Sequence, residues 1–346
     1  MAATVHLVGS LPPGFGTAEK VFTLLSGELG ARAPRLPDGE VGARQNWIMS
    51  QLRVYERNPA FERYEEPPDR RDPGRKRYRF RIKKGAKPPN AAELGPLGYA
   101  DGAAESYDVF ARLKRDGKVH KAAKFQVSIP TPYDIVGFSI DHADYPKIYP
   151  VYEQAILAEI DRIAAAIPHG ELALQWDVAH EFEYLASHAS PPFVPIARDE
   201  VVALLVRLGE RVPKDVELGY HCCYGDYNHK HFIEPKDTGD MVDVMNAVSA
   251  RIGRKVEFVH MPVPKDRSDD AYFAPLKNLK LRPETQLYLG LVHFTDKMDG
   301  TNKRIAAARK FAPAFGVATE CGLGRRAPET IPELLRVHVE AAKLLD

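Results

Sequence analysis

Residues 151–177 read VYEQAILAEIDRIAAAIPHGELALQWD. Isoleucines at 156, 160, 163 and 167 recur at spacings of four, three and four, which places them on one stripe of a helix over 151–167. A β-rich run over 172–177 follows at once, and a helix feeding a short buried strand is the repeating unit of parallel sheets. Working outward, seven further strand-like runs stand at 4–8, 35–36, 124–128, 216–220, 256–260, 286–292 and 315–319. Helical patterns at 198–211, 241–251, 301–311 and 330–345 keep the alternation going. Eight strands alternating with helices predict an α/β protein, a (β/α)8 TIM barrel over residues 1–346, while an open doubly wound sheet satisfies the same count. No repeat at a fixed period is visible.

One region departs from this rhythm. Residues from about 59 to 120 are rich in Pro, Gly and charge, and read as an insertion after the second strand. It carries Arg70, Arg71, Arg75, Lys76, Arg77, Arg79, Arg81, Lys83, Lys84 and Lys87. Within it Arg77-Tyr78-Arg79-Phe80-Arg81-Ile82 alternates charge with bulk, as one strand of a two-stranded ribbon would. Such an excursion is either a solvated cover on the barrel or a basic lid over an anionic substrate. Nucleic acid is not expected, since no basic face elsewhere matches it.

The totals narrow the function classes. The 346 residues are 44% hydrophobic, enough for one large core. Lys plus Arg number 48 against 47 Asp plus Glu, so no overall field recruits nucleic acid or an anionic membrane. The start, MAATVHLVGS, lacks the pattern of a signal peptide, and no apolar stretch approaches the ~20 residues of a membrane span. A cytoplasmic protein is expected. Three cysteines, Cys222, Cys223 and Cys321, form no disulfide framework and suit a reducing compartment.

Their placement is more informative than their number. Gly219-Tyr220-His221-Cys222-Cys223-Tyr224-Gly225 follows a strand directly, at the end where barrel enzymes keep their active sites. In extended backbone His221 and Cys223 point one way and Cys222 the other. Thr319-Glu320-Cys321-Gly322-Leu323-Gly324 repeats the situation after the last strand. One imidazole and two thiolates favour Zn²⁺ and leave a fourth position exchangeable. The bland alternative is that these cysteines are small buried hydrophobes. His229 and His231, in a polar loop of nonspecific spacing, read as solvated.

The ordered set Gly9-Ser10-Leu11-Pro12, Asp38-Gly39-Glu40, Leu174-Gln175-Trp176-Asp177, His221-Cys222-Cys223-Tyr224, His293 and Glu320-Cys321-Gly322-Leu323 resembles the catalytic barrel of cobalamin-independent methionine synthase. The resemblance spans nearly the whole chain in order. It implies zinc ligation by His221, Cys223 and Cys321. It also implies that Ser10, Glu40 and Asp177 hold the amino and carboxylate groups of homocysteine, and that His293 protonates the leaving group. The sequence departs from the family in three places. The family's Asp-Glu-Pro reads Asp177-Val178-Ala179 here. Its fourth ligand, a Glu, falls where this chain has His260, the favoured substitute, with Glu257 the alternative. The amino-terminal half of the folate-dependent members has no counterpart, so a small or protein-carried alkyl donor is expected rather than a polyglutamyl folate.

The implied chemistry is thiol alkylation. A thiol activated on zinc attacks a methyl or other alkyl carbon, and the partners are a small thiol, an alkyl donor and, as one source of the alkyl group, a corrinoid or other carrier protein. Three alternatives remain. Epoxide-opening thiol transferases, such as the epoxyalkane:coenzyme M type, resemble the same family. A decarboxylase of the uroporphyrinogen type shares the fold without zinc. A protein that binds metal or thiol without turnover uses the site but needs no acid.

Overall fold

The computed structural model describes residues 3–66, 76–187, 194–225, 231 and 233–346. Its strands, in chain order, are β1 (Arg35–Pro37), β2 (Phe61–Glu66), β3 (Arg77–Ile82), β4 (Lys124–Pro130), β5 (Leu172–Val178), β6 (Glu217–Cys222), β7 (Phe258–Pro262), β8 (Gln286–Val292) and β9 (Gly316–Thr319). Seven of them form one parallel sheet in the order β1-β4-β5-β6-β7-β8-β9. Every residue of β5 and of β7 is buried, as expected where both faces of a parallel sheet are covered. The cover consists of helices. Tyr145–Ala166 turns Ile156, Ile160 and Ile163 inward, so the isoleucine stripe does face the core. Ile331–Lys343 does the same with Leu334, Leu335, Ala341 and Ala342. Among the described residues no helix is long and apolar enough to cross a membrane.

The first expected strand, 4–8, is not a regular strand. The segment meets both edges of the sheet through single parallel bridges, Val5 to Val317 in β9 and Ser10 to Gly39 just after β1. His6 N–H donates to Val317 O at 2.9 Å and Leu11 N–H to Gly39 O at 3.0 Å. Between those points its carbonyls are claimed by side chains from inside the curled sheet. Gln126 Nε2 donates to Leu7 O and Val8 O at 2.9 and 3.0 Å, Gln175 Nε2 to Val8 O at 2.8 Å, and Ser128 Oγ to Val8 O at 2.7 Å. Backbone groups satisfied this way need no ladder.

The stretch expected as one insertion contains two things. Tyr99–Arg115 is a long amphipathic helix that buries Ala103, Phe110 and Leu113 and packs between the helices Ala18–Leu29 and Tyr145–Ala166. It belongs to the outer layer. The true excursion is the antiparallel ribbon β2/β3, docked where Asp141 N–H donates to Phe80 O at 2.8 Å. Its cations face glutamates on the paired strand. Arg81 meets Glu62 at 2.7 Å, and Arg77 and Arg79 meet Glu66 at 3.4 and 2.8 Å. Arg79 is buried and also donates to Ile140 O at 2.9 Å. Arg70, Arg71 and Arg75 lie outside the described residues.

Candidate active site

A cavity of about 420 Å³ opens where β5, β6 and β9 end. Ser10, Glu40, Asp177, His180, His221, Cys223 and Cys321 line it, with Val8, Leu11, Ile48, Met49 and Phe138 as an apolar wall and Arg325 at its border. The strand alternation expected at 221–223 is what the structure has. His221 and Cys223 reach the cavity, while Cys222 is fully buried away from it, and burial pushes its thiol pKa up. Cys223 N–H donates to Val178 O at 2.9 Å, which carries the alignment of β5 and β6 one residue past the sheet.

One donor atom each from His221, Cys223 and Cys321 lies within 4.8 Å of the other two. The two sulfurs stand 3.7 Å apart, and Cys321 Sγ is 4.0 Å from His221 Nε2. A tetrahedral metal with metal–sulfur bonds of about 2.3 Å separates two sulfurs by about 3.8 Å, so these side chains fit a soft divalent ion with little movement.

His260 does not join this group. It stands directly across from His221 in the β6/β7 pairing, its ring stacked on the His221 ring with Nδ1 to Nδ1 at 2.6 Å. Burial holds its imidazole down at about 3, so it stays neutral, and one of the two Nδ1 atoms donates to the other. That contact leaves Nε2 of His221 as the nitrogen turned toward Cys321. His260 therefore orients a donor instead of serving as the expected fourth one. Glu257 is not near the site either. Its carboxylate accepts from Leu218 N at 2.7 Å and lies 3.8 Å from Arg254, at the opposite end of the strands.

The carboxylates form the second half of the cavity. Glu40 follows Gly39, and both have positive φ, 54° and 79°. A non-glycine residue tolerates that backbone only where its surroundings hold it. Here Asp38 Oδ1 accepts from Glu40 N at 2.9 Å, and Arg44 pairs with the Asp38 carboxylate. Gly9 leaves the room that the Glu40 carboxyl fills, since a Cβ there would run into Oε1. Burial, and then the charge of Asp177, lift the Glu40 pKa to about 8. Asp177 is aimed by Gln175, whose Nε2 donates to its Oδ1 at 2.8 Å. Ser10 ties the carboxylates to the sulfurs. Its carbonyl accepts from Leu323 N at 2.9 Å and its Oγ from Gly324 N at 3.3 Å, and a side chain at Gly322 would collide with it.

His293 is not brought to the cavity. It is buried, with Nε2 2.9 Å from Val263 O and Nδ1 3.3 Å from Glu320, which in turn meets Arg326 at 3.0 Å. One nitrogen is thus hydrogen-bonded to the backbone and the other lies near a carboxylate, outside the residues that line the cavity. His231, expected to be solvated, has a side chain only 5% exposed, set against Tyr224 and 3.5 Å from Glu234. His229 lies outside the described residues.

Sequence reasoning missed His180. It is buried, lines the cavity three residues beyond Asp177, and is held by Asp134 from the helix Pro132–Ser139. Asp134 accepts from His180 Nδ1 at 2.8 Å, from His180 N at 2.7 Å and from Ala179 N at 3.3 Å. Burial pushes both Asp134, to about 7, and neighbouring Glu181 up, and the N–H groups aimed at Asp134 pull it partly back. The sequence signal was a histidine just past a strand end; its partner lies 46 residues earlier.

No protein-family model and no curated protein sequence matches the chain. Solved structures do. A B12-independent methionine synthase from Shewanella sp. W3-18-1, in complex with selenomethionine, superposes with a TM-score of 0.65 at 14% identity, over 99% of this chain and 97% of that one. A putative vitamin-B12 independent methionine synthase from Listeria monocytogenes gives 0.60 at 14% identity, covering 100% and 99%. A methyltransferase from Methanosarcina mazei gives 0.56 at 11% identity, covering 99% and 94%. At these identities the likeness is one of fold, and over its whole length the chain has the fold of B12-independent methionine synthase-like proteins.

Proposed function

We propose that this chain is a zinc-dependent thiol alkyltransferase on a (β/α)8 barrel, the segment 4–10 serving as the eighth stave, and that its reaction is methyl transfer to homocysteine or a related amino thiol. The observation that carries the reading is the meeting, in one cavity, of His221, Cys223 and Cys321 with the carboxyls of Glu40 and Asp177. Zinc held by the three donors would supply the Lewis acidity that lets a substrate thiol lose its proton near neutral pH. The protein's own residues do the rest. Glu40, Asp177 and Ser10 grip the ammonium end of the thiol and fix its sulfur relative to Cys223 and Cys321. Entry of an ammonium group draws the proton off Glu40, because a neighbouring cation favours the charged carboxylate. Val8, Leu11, Ile48, Met49 and Phe138 exclude water from the alkyl carbon.

That wall is uncharged, which also suits a small neutral electrophile such as an epoxide. One experiment separates the readings. Metal content is measured on purified protein, and homocysteine is then offered with methyltetrahydrofolate, methylcobalamin or a simple epoxide while thioether is quantified. About one zinc per chain and a methyl thioether support the proposal. Product from the epoxide alone moves the assignment to epoxide opening. Absence of zinc, or of thioether from every donor, overturns it.

A further inference from the structure

The proposed transfer needs an acid. When a thiolate sulfur bonds to an alkyl carbon, the bond from that carbon to the leaving atom breaks with its electron pair. An oxygen or nitrogen leaving atom must then take a proton. His293 does not line the cavity, and its Nε2 is bonded to Val263 O. His180 does line it.

We propose that His180, oriented by Asp134, is the general acid that protonates the leaving group, an assignment that rests on the thiol-transfer reading above. Three observations carry it. The first is placement: His180 and Cys223 border the same cavity from neighbouring strand ends, joined by the Cys223 N–H to Val178 O bond. The second is orientation. Asp134 takes Nδ1–H of the ring, which makes Nε2 the nitrogen that exchanges a proton, and Phe138 stacks on one ring face with 6.0 Å between centroids. A carboxylate holding the far nitrogen of a histidine fixes the tautomer and steadies the cationic ring. The third is the cost of the arrangement. Asp134 is fully buried, and burying a carboxylate is costly unless hydrogen-bond partners such as the His180 ring offset it. The proton balance closes, because the thiol releases one proton on activation and the leaving atom takes one from Nε2, so that thiol plus alkylated donor yields thioether plus protonated leaving group.

Asp134 also caps the helix His180–Ser187 through Ala179 N and His180 N, so a purely structural role predicts slowing that ignores the donor. Leaving-group dependence tells the two apart. His180→Gln, Asp134→Asn and His293→Gln are compared with wild type, using homocysteine with two donors. An epoxide leaves as an alkoxide that needs a proton, and trimethylsulfonium leaves as neutral dimethyl sulfide that needs none. His180→Gln should keep its zinc and slow the epoxide reaction about 100-fold or more, with the sulfonium reaction nearly unchanged. Asp134→Asn should show the same selectivity in milder form, and it carries the test if His180→Gln fails to fold. Equal slowing with both donors, or none with either, overturns the assignment. Selective slowing in His293→Gln alone transfers the role to that residue. No thioether from the wild type with any donor overturns the proposed function, and this assignment with it.

Discussion

The Glu40 carboxyl sits beside Asp177 with its pKa lifted from 4.5 to about 8. Between those values the folded protein holds a proton that the unfolded chain has released, so stability declines as pH rises through that window. Glu40→Gln removes the linkage. Urea midpoints at the two ends of the window should therefore fall more for wild type than for the variant, and parallel curves would show that Glu40 is not perturbed. The metal donors make a separate prediction. Cys223→Ser and Cys321→Ser should lose most bound zinc and Cys222→Ser should keep it, while His260→Ala should weaken zinc about 10- to 100-fold, more than Glu257→Ala. Equal loss from Cys222→Ser would refute the facing of 221–223. Alternation in extended backbone made His221 and Cys223 legible, because a strand offers only two directions. The role of His260 was not legible, because position along β7 does not say whether a ring reaches the cavity or a neighbouring ring. His180 was hidden for a different reason: the Asp134 that gives it meaning approaches from another element.

Among the elements, the segment 4–10 shows how much of a fold lies in side-chain chemistry. The isoleucine stripe and the seven paired strands follow from apolar spacing, which sequence displays directly. The bonding of residues 7 and 8 does not, because their carbonyls are met by the amide of Gln126, which lies more than a hundred residues away. Gln126→Leu keeps the volume and removes the donor, leaving buried carbonyls short of a partner at a cost of about 1–3 kcal/mol. Chemical denaturation measures this, and an unchanged midpoint would mean that the neighbouring Gln175 and Ser128 compensate. The ribbon makes the complementary case. Arg81 is half exposed beside Glu62, where water and salt screen the pair, so its removal should leave the denaturation midpoint nearly unchanged. Arg79 is buried on Glu66 and Ile140 O, so Arg79→Ala should cost several-fold more than Arg81→Ala. Reversal of that order would mean that the ribbon is not docked through Arg79.

At the scale of the molecule the question is which donor the cavity admits. The sequence, with its run of cations between 70 and 87, allowed a basic lid that would hold a long polyanion. Composition lists charges without their partners, and in the structure Arg77, Arg79 and Arg81 face Glu62 and Glu66 across the ribbon. Net charge is only +1, and Arg325 is the one Lys or Arg among the described residues that line the cavity, whose other polar side chains are its carboxyls, the donor group, Ser10, Gln45, Asn46 and His180. Binding through exposed cations weakens steeply with salt, because each contact is screened over a Debye length of about 8 Å at physiological ionic strength. A donor held by apolar contact is indifferent to it. Turnover with homocysteine should therefore change little between low and high salt, and polyglutamyl methyltetrahydrofolate should be no better a donor than its monoglutamyl form. Replacing Arg77 and Arg81 with alanine should leave the ratio of the two unchanged. Rapid turnover with the polyglutamyl form that falls with salt and disappears in that double variant would place a polyanion on the ribbon and make the chain a folate-dependent enzyme.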